Sequence, residues 1–209
     1  MKGIIFDLDG VIVSTDEQHY KGWKSLAERL EIPFDRKANN RFRGVSRMDC
    51  MDMLAEMGGK DYSDEDKTEY ANWKNDYYRE LLGEMSEKDL SEEVKVSLEL
   101  LRAKGYKLAI GSSSKNAKFI LERIGLGDFF DAVSDGNNIS KSKPDPEVFL
   151  KAAEFLGLEP EECLVVEDAV SGVEAAHAGK MKAAALGDAA EKNCGDYILE
   201  RFPALLNIL

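Results

Sequence analysis

Asp7 and Asp9 are separated by a single leucine and followed by Gly10. On an extended chain alternate side chains point the same way, which would set the two carboxylates on one side, about 6–7 Å apart. Acids that close repel each other and need a cation, a shared proton or strong hydrogen bonds. Gly10 allows a tight turn or the close approach of a ligand. Further along stand Ser112-Ser113-Ser114-Lys115-Asn116, Lys143 and Glu167-Asp168. The carboxylates Asp7, Asp9 and Asp168 are hard oxygen ligands suited to Mg²⁺, which takes a few of them together with waters and phosphate oxygens. Ser112 and Lys143 can hold and neutralise a phosphoryl group. Each piece alone is commonplace: acids at a strand end are often solvated, a serine run is usually a loop before a helix, and a lysine before proline is usually solvated.

What singles the set out is the elements that must position it. Lys2–Phe6, Tyr106–Gly111, Ala132–Ser134, Cys163–Val166 and Ala183–Leu186 are short apolar runs of the kind that fill a strand buried on both faces. Helical patterns over 91–104, 116–123, 147–156 and 169–178 alternate with them, and Tyr197–Leu199 reads as a last edge strand. Such alternation predicts a doubly wound, Rossmann-like parallel α/β sheet. Ligands bind such sheets outside the carboxyl ends of the strands. Asp7/Asp9, Ser112–Asn116, Lys143 and Glu167/Asp168 are expected, in that order, at those strand ends.

Between the first strand and the rest lies an all-helical stretch. Tyr20, Trp23, Leu26, Ala27 and Leu30 recur at helical spacing over 16–31. Ser46 caps a helix running to Met57 through Asp49, and Ser63 opens another that Gly83 ends. Arg41–Arg47 is a basic patch. The expected organisation is a core formed by 1–14 and 88–209 with an inserted helical cap over 15–87, joined by two crossings that make a natural hinge. On position alone His19 reads as a surface or half-buried helix residue.

Forty acidic against 28 basic residues give a formal charge of −12, which argues against a general nucleic-acid or anionic-membrane partner but not against a small anionic substrate. Cys50, Cys163 and Cys194 form no metal-binding or redox spacing and fit a reducing compartment. No signal peptide and no long apolar run is evident, so a cytoplasmic location is expected, and a monomer, since no extra apolar surface stands out.

Phe6-Asp7-Leu8-Asp9-Gly10-Val11, Ser112, Lys143-Pro144-Asp145-Pro146 and Glu167-Asp168 resemble, in order, the four signature motifs of the haloacid dehalogenase superfamily of phosphotransferases. The helical insert resembles the small α-helical cap of its subgroup I. The likeness extends to the hexose-phosphate mutases of that subgroup through His19, Gly44-Val45-Ser46-Arg47, Trp73-Lys74-Asn75-Asp76 and Ser112–Asn116.

The resemblance implies that Asp7 is the nucleophile and Asp9 the general acid/base. It implies Mg²⁺ held by Asp7, the Asp9 backbone carbonyl and Asp168, with Glu167 supporting the metal, and the phosphoryl oxygens bound by Ser112 and Lys143. It gives Thr15 a hinge role, and His19 a part in coupling cap closure to the acid/base. Gly44, Val45, Ser46, Arg47, Trp23, Lys74, Ser114, Lys115 and Asn116 would bind a sugar phosphate, with Arg47, Ser114, Lys115 and Asn116 at a second phosphate site. The implied reaction interconverts β-glucose 1-phosphate and glucose 6-phosphate; a sugar-phosphate phosphatase is the alternative, and a binding protein without catalysis is disfavoured by the intact acids. The sequence departs from its relatives at Gly187–Glu191, which lacks an arginine often found there, and in a somewhat short C-terminal end, so altered edge packing is expected.

Overall fold

The computed structural model describes residues 1–42 and 45–209. Two compact units emerge, Met1–Ser14 with Met85–Leu209, and Thr15–Glu84. The second crossing falls at Met85 rather than at residue 88. Met85 is buried, and its carbonyl accepts from Arg123 Nε (3.0 Å) and Nη2 (2.7 Å), which ties it to the first unit.

In that unit six strands form one parallel sheet: β1 (Gly3–Phe6), β2 (Lys107–Gly111), β3 (Ala132–Ser134), β4 (Cys163–Glu167), β5 (Lys182–Ala185) and β6 (Tyr197–Ile198). The order is β3-β2-β1-β4-β5-β6, so the chain winds outward in one direction and then in the other, reversing beside β1. In register, Phe6 faces Ile110 on β2 and Val166 on β4. Ile4, Ile5, Phe6, Leu108, Ala109, Ile110, Leu164, Val165 and Val166 are wholly buried, as strands covered on both faces must be.

Following the sequence through this unit, the crossovers carry α-helices over 92–103, 117–123, 147–156 and 170–178. Ser91 caps the first by accepting from Val94 N (3.3 Å), and Gly157 ends the third in the left-handed region at φ 65°. At the edge, a five-residue helix over Gly187–Glu191 precedes β6, and the 3₁₀ turn Phe202–Asn207 brings Phe202 against Phe6, ring centroids 5.7 Å apart.

The other unit contains, among its described residues, only helices: α1 (Asp16–Arg29), α2 (Arg36–Asn40), α3 (Arg47–Met57) and α4 (Asp64–Gly83). Trp23, Leu26, Ala27, Cys50, Met51 and Leu54 form its apolar centre. Ser46 caps α3 through Asp49 N (3.2 Å), and Ser63 and Asp66 form a reciprocal capping box on α4. α2 begins where Asp35 accepts from Ala38 N (2.8 Å). Thr15 precedes α1 but does not cap it; its hydroxyl accepts instead from Tyr78 on α4 (3.1 Å). Among the described residues no helix is long and apolar enough to cross a membrane, and all three cysteines are free.

Candidate active site

The ladder between β1 and β4 continues one residue beyond β1. Asp7 N donates to Val166 O (2.9 Å), which sets Asp7 beside Glu167 at the point where the sheet reverses. One carboxylate oxygen each from Asp7, Glu167 and Asp168 lies within 4.8 Å of the others. Lys143 reaches in from its loop, with Nζ 2.5 Å from Asp7 Oδ1 and 2.9 Å from Glu167 Oε2. Its side chain is only 5% exposed, and its ammonium also lies 4.7 Å from the Phe149 ring centroid. Glu167 spends its other oxygen on Ala169 N (3.1 Å).

Two acids thus hold one ammonium in a largely buried setting, with the half-buried Asp168 beside those acids. Burial, helped by Asp7 and Asp168 and opposed by Lys143, pushes Glu167 up to about 8. Burial and the charge of Asp7 push Asp168 up to about 7. Burial by itself would lower Lys143, but Asp7 and Glu167 outweigh it and raise the ammonium above its ordinary value. Lys143 therefore stays charged while two of the acids hold protons near neutrality. A surplus of negative charge that protons must relieve is what a hard divalent cation relieves better, so the donor set fits Mg²⁺. Mg²⁺ must displace those protons, which gives a sign. Both acids have folded values above their unfolded ones, so the metal-free protein loses stability as pH climbs from about 4.5 to about 8. The rise in melting temperature on adding saturating Mg²⁺ is expected to be larger at about pH 8.5 than at about pH 6. Equal gains at the two values would count against a cation held by these acids.

Asp9 is placed differently from the alternation argument. β1 stops at Phe6; the Leu8 carbonyl takes both Ile12 N (3.0 Å) and Val13 N (3.1 Å), so the chain turns instead of running on. The Asp9 carboxylate stands outside the three-acid cluster. Gly10, at φ +81°, lies so close to Asp168 that a Cβ there would sit 2.1 Å from Oδ2.

Ser112 directly follows β2 and is buried; its N–H donates to Ser134 O (3.0 Å). Ser112 Oγ accepts from Ser114 N (3.2 Å), and Ser114 Oγ accepts from Asn116 N (3.2 Å), so two serine turns shape this loop. Asn116 is buried and Lys115 exposed. In the loop that carries Lys143, one oxygen of Glu147 accepts from Ser140 N, Ser140 Oγ and Lys141 N, each at 2.8 Å. Those bonds hold the Glu147 carboxyl at about 2.

In the helical unit, Lys74 is 3% exposed, with Nζ 4.8 Å from the Trp23 ring centroid and 4.4 Å from that of Tyr78. Nζ lies 3.2 Å from His19 Nδ1. An ammonium only donates, so His19 Nδ1 accepts and a neutral ring carries its proton on Nε2. Burial, then Lys74, then Arg47 hold the half-buried His19 well below the usual imidazole value, which keeps it neutral. Arg47 Nη2 donates to Asn75 Oδ1 (2.8 Å). Ser46 is committed to Asp49 at the start of α3, and Val45 is 37% exposed. Gly44 lies outside the described residues.

A model of the haloacid dehalogenase-like hydrolases matches residues 1–180. The chain is 38% identical over 189 residues to the β-phosphoglucomutase of Bacillus subtilis, covering 90% of this chain and 84% of that protein. This chain belongs to the haloacid dehalogenase-like hydrolases. It is also 31% identical over 179 residues to the phosphorylated carbohydrates phosphatase of Thermotoga maritima, covering 84% of this chain and 80% of that one. Among solved structures, a β-phosphoglucomutase from Clostridium difficile superposes with a TM-score of 0.92 at 33% identity, over 98% of this chain and 93% of the other.

Several residues that shape the site in this haloacid dehalogenase-like hydrolase lie outside the motifs. Gly172 makes room for Glu167: a Cβ there would fall 2.1 Å from the Glu167 carboxyl carbon. Glu147 fixes the loop of Lys143 and Phe149 lies against its ammonium; separately, within the helical unit, Tyr78 joins Thr15, Lys74 and His19. Only Glu147 had a local signal, as an acid at the start of a predicted helix.

Proposed function

We propose that this enzyme is a Mg²⁺-dependent β-phosphoglucomutase, interconverting β-glucose 1-phosphate and glucose 6-phosphate through an aspartyl-phosphate and a β-glucose 1,6-bisphosphate. The observation that carries the reading is Lys74. Burying an ammonium in a small helical unit is costly, and here it is set on two aromatic faces and on His19. A purely structural position in α4 would be filled more cheaply by an apolar residue. Lys74, His19 and Trp23 are residues of the mutase resemblance, and they form one array. The identity to the Thermotoga maritima phosphatase supports the second reading, a sugar-phosphate phosphatase.

In the proposed mechanism a carboxylate oxygen of Asp7 attacks the phosphorus of the bisphosphate, and the bond from phosphorus to the sugar oxygen breaks. Asp9 gives its proton to that oxygen, and in reverse takes the proton of an attacking hydroxyl. Lys143 neutralises the phosphoryl oxygens while keeping Asp7 in place, and Ser112 donates its hydroxyl to them. Asp7, Asp168 and the Asp9 carbonyl, with Glu167 in support, would hold Mg²⁺, which would supply charge neutralisation at the transferring phosphoryl group. The neutral His19 offers its Nε2–H as a donor.

Replacing Asp9 by Asn is expected to slow transfer by about a hundredfold or more while leaving Mg²⁺ stabilisation in place. Transfer within a few-fold of normal would remove Asp9 from the acid/base role. The reading as a whole is tested by incubating the protein with Mg²⁺, β-glucose 1-phosphate and a trace of glucose 1,6-bisphosphate, with the α-anomer as control. β-Selective formation of glucose 6-phosphate with little free phosphate supports the mutase. Free phosphate without isomerisation supports the phosphatase.

A further inference from the structure

The loop that follows β2, to which the proposed function assigns the second phosphate, has its backbone tied to the turn that follows β3. Asp135, 1% exposed, accepts from Asn137 N through Oδ1 (2.8 Å), an Asx turn that shapes residues 135–137. From this turn Gly136 N donates to Ser114 O (3.2 Å), and Asn137 Nδ2 donates to Lys115 O (3.0 Å). The approach is close enough to need a glycine. A Cβ on Gly136 would lie 2.4 Å from Ser113 O and 2.9 Å from Lys115 N. Two successive carbonyls of the loop are thereby stitched to a rigid turn at the end of the next strand.

We infer that Asn137, with Gly136, is a positioning residue for substrate specificity: it sets Ser114, Lys115 and Asn116 to receive the phosphate that is not being transferred. Asn137 is exposed and touches neither the acidic cluster nor Lys143, so it acts through the loop and, among donors that phosphorylate the free enzyme, favours those that carry a second phosphate. The inference rests on the sugar-phosphate reading given above. It adds a residue that none of the four motifs contains.

The test compares kcat/KM for phosphoryl transfer from β-glucose 1,6-bisphosphate and from acetyl phosphate, which has no second phosphate. Asn137→Ala is expected to lower the ratio of the two by about three- to tenfold, the scale of one lost hydrogen bond to a carbonyl, through a raised KM for the bisphosphate with kcat kept. Gly136→Ala, which forces the loop away, lowers the ratio further. A ratio within twofold of normal for Asn137→Ala overturns the inference, as does an equal loss on both donors. If the unaltered protein turns the bisphosphate into free phosphate alone, the mutase reading falls and the ratio still decides the role of Asn137. If it accepts acetyl phosphate but not the bisphosphate, both fall.

Discussion

Asp7→Asn is expected to reduce phosphoryl transfer by more than about 10⁴-fold and to leave a folded protein, because it would remove the proposed nucleophile while Lys143 gives up only one of its two carboxylate partners. The amide matches the carboxylate in size, and the backbone bond from residue 7 to Val166 O does not depend on the side chain. Lys143 keeps Glu167 as a partner at 2.9 Å. Electrostatically the change is even favourable for the other acids, since the charge of Asp7 is one of the causes that raise Glu167 and Asp168. Both should then ionise at lower pH, so the metal-free variant should melt no lower than the unaltered protein at pH 8. Two measurements check this: single-turnover labelling of the protein by a phosphoryl donor, and a melting curve at that pH. Labelling at a rate within about tenfold of normal would rule out Asp7 as the nucleophile. Loss of the melting transition would mean that Asp7 serves the fold and that its place in the chemistry has been inferred from a collapsed variant.

The parts of this site legible in the sequence are those that a strand delivers. Asp7, Ser112 and Glu167 each lie at or directly after the end of an apolar run, and parallel pairing brings such ends to one side of the sheet. Lys143 was legible through its motif, although only the fold explains how it reaches Asp7. Asp9 shows where alternation stops being a guide: it holds only while the strand lasts, and β1 ends at Phe6. The residues that fix loops were hidden because their partners lie far away in the chain. Asn137 answers to Lys115 across 22 positions, and Tyr78 to Thr15 across 63. Nothing in a local window distinguishes such residues from ordinary members of a helix or a turn. The short helices over 36–40 and 187–191 were hidden for a different reason. At five residues each they show little more than one turn of periodicity, and for the first only Asp35 marks a start.

Lys143→Met should carry the largest cost in stability as well as in activity. Methionine fills nearly the same volume, so packing against Phe149 is kept and the loss is one of charge. Asp7 and Glu167 are then left without the cation between them, and breaking a buried pair in this way costs about 3–5 kcal/mol. The pH dependence separates this cause from a packing defect. Lys143 is the neighbour that pulls Glu167 down, and without it Glu167 rises above its present value of about 8. A carboxyl whose folded value exceeds its unfolded one takes up protons on folding, so its cost is absent below about pH 4.5 and grows until the pH passes the folded value. Glu167 is protonated in both folded proteins up to about pH 8, so the gap in unfolding free energy between them, measured without metal in denaturant, should be level from about pH 5 to about pH 7 and widen above about pH 8. Added Mg²⁺ should narrow the gap, since a divalent cation among the same oxygens would replace part of the missing charge, yet transfer should stay low if, as proposed, the phosphoryl oxygens need the Lys143 ammonium. A gap that does not change with pH would mean that Lys143 supports the loop by its shape rather than the site by its charge.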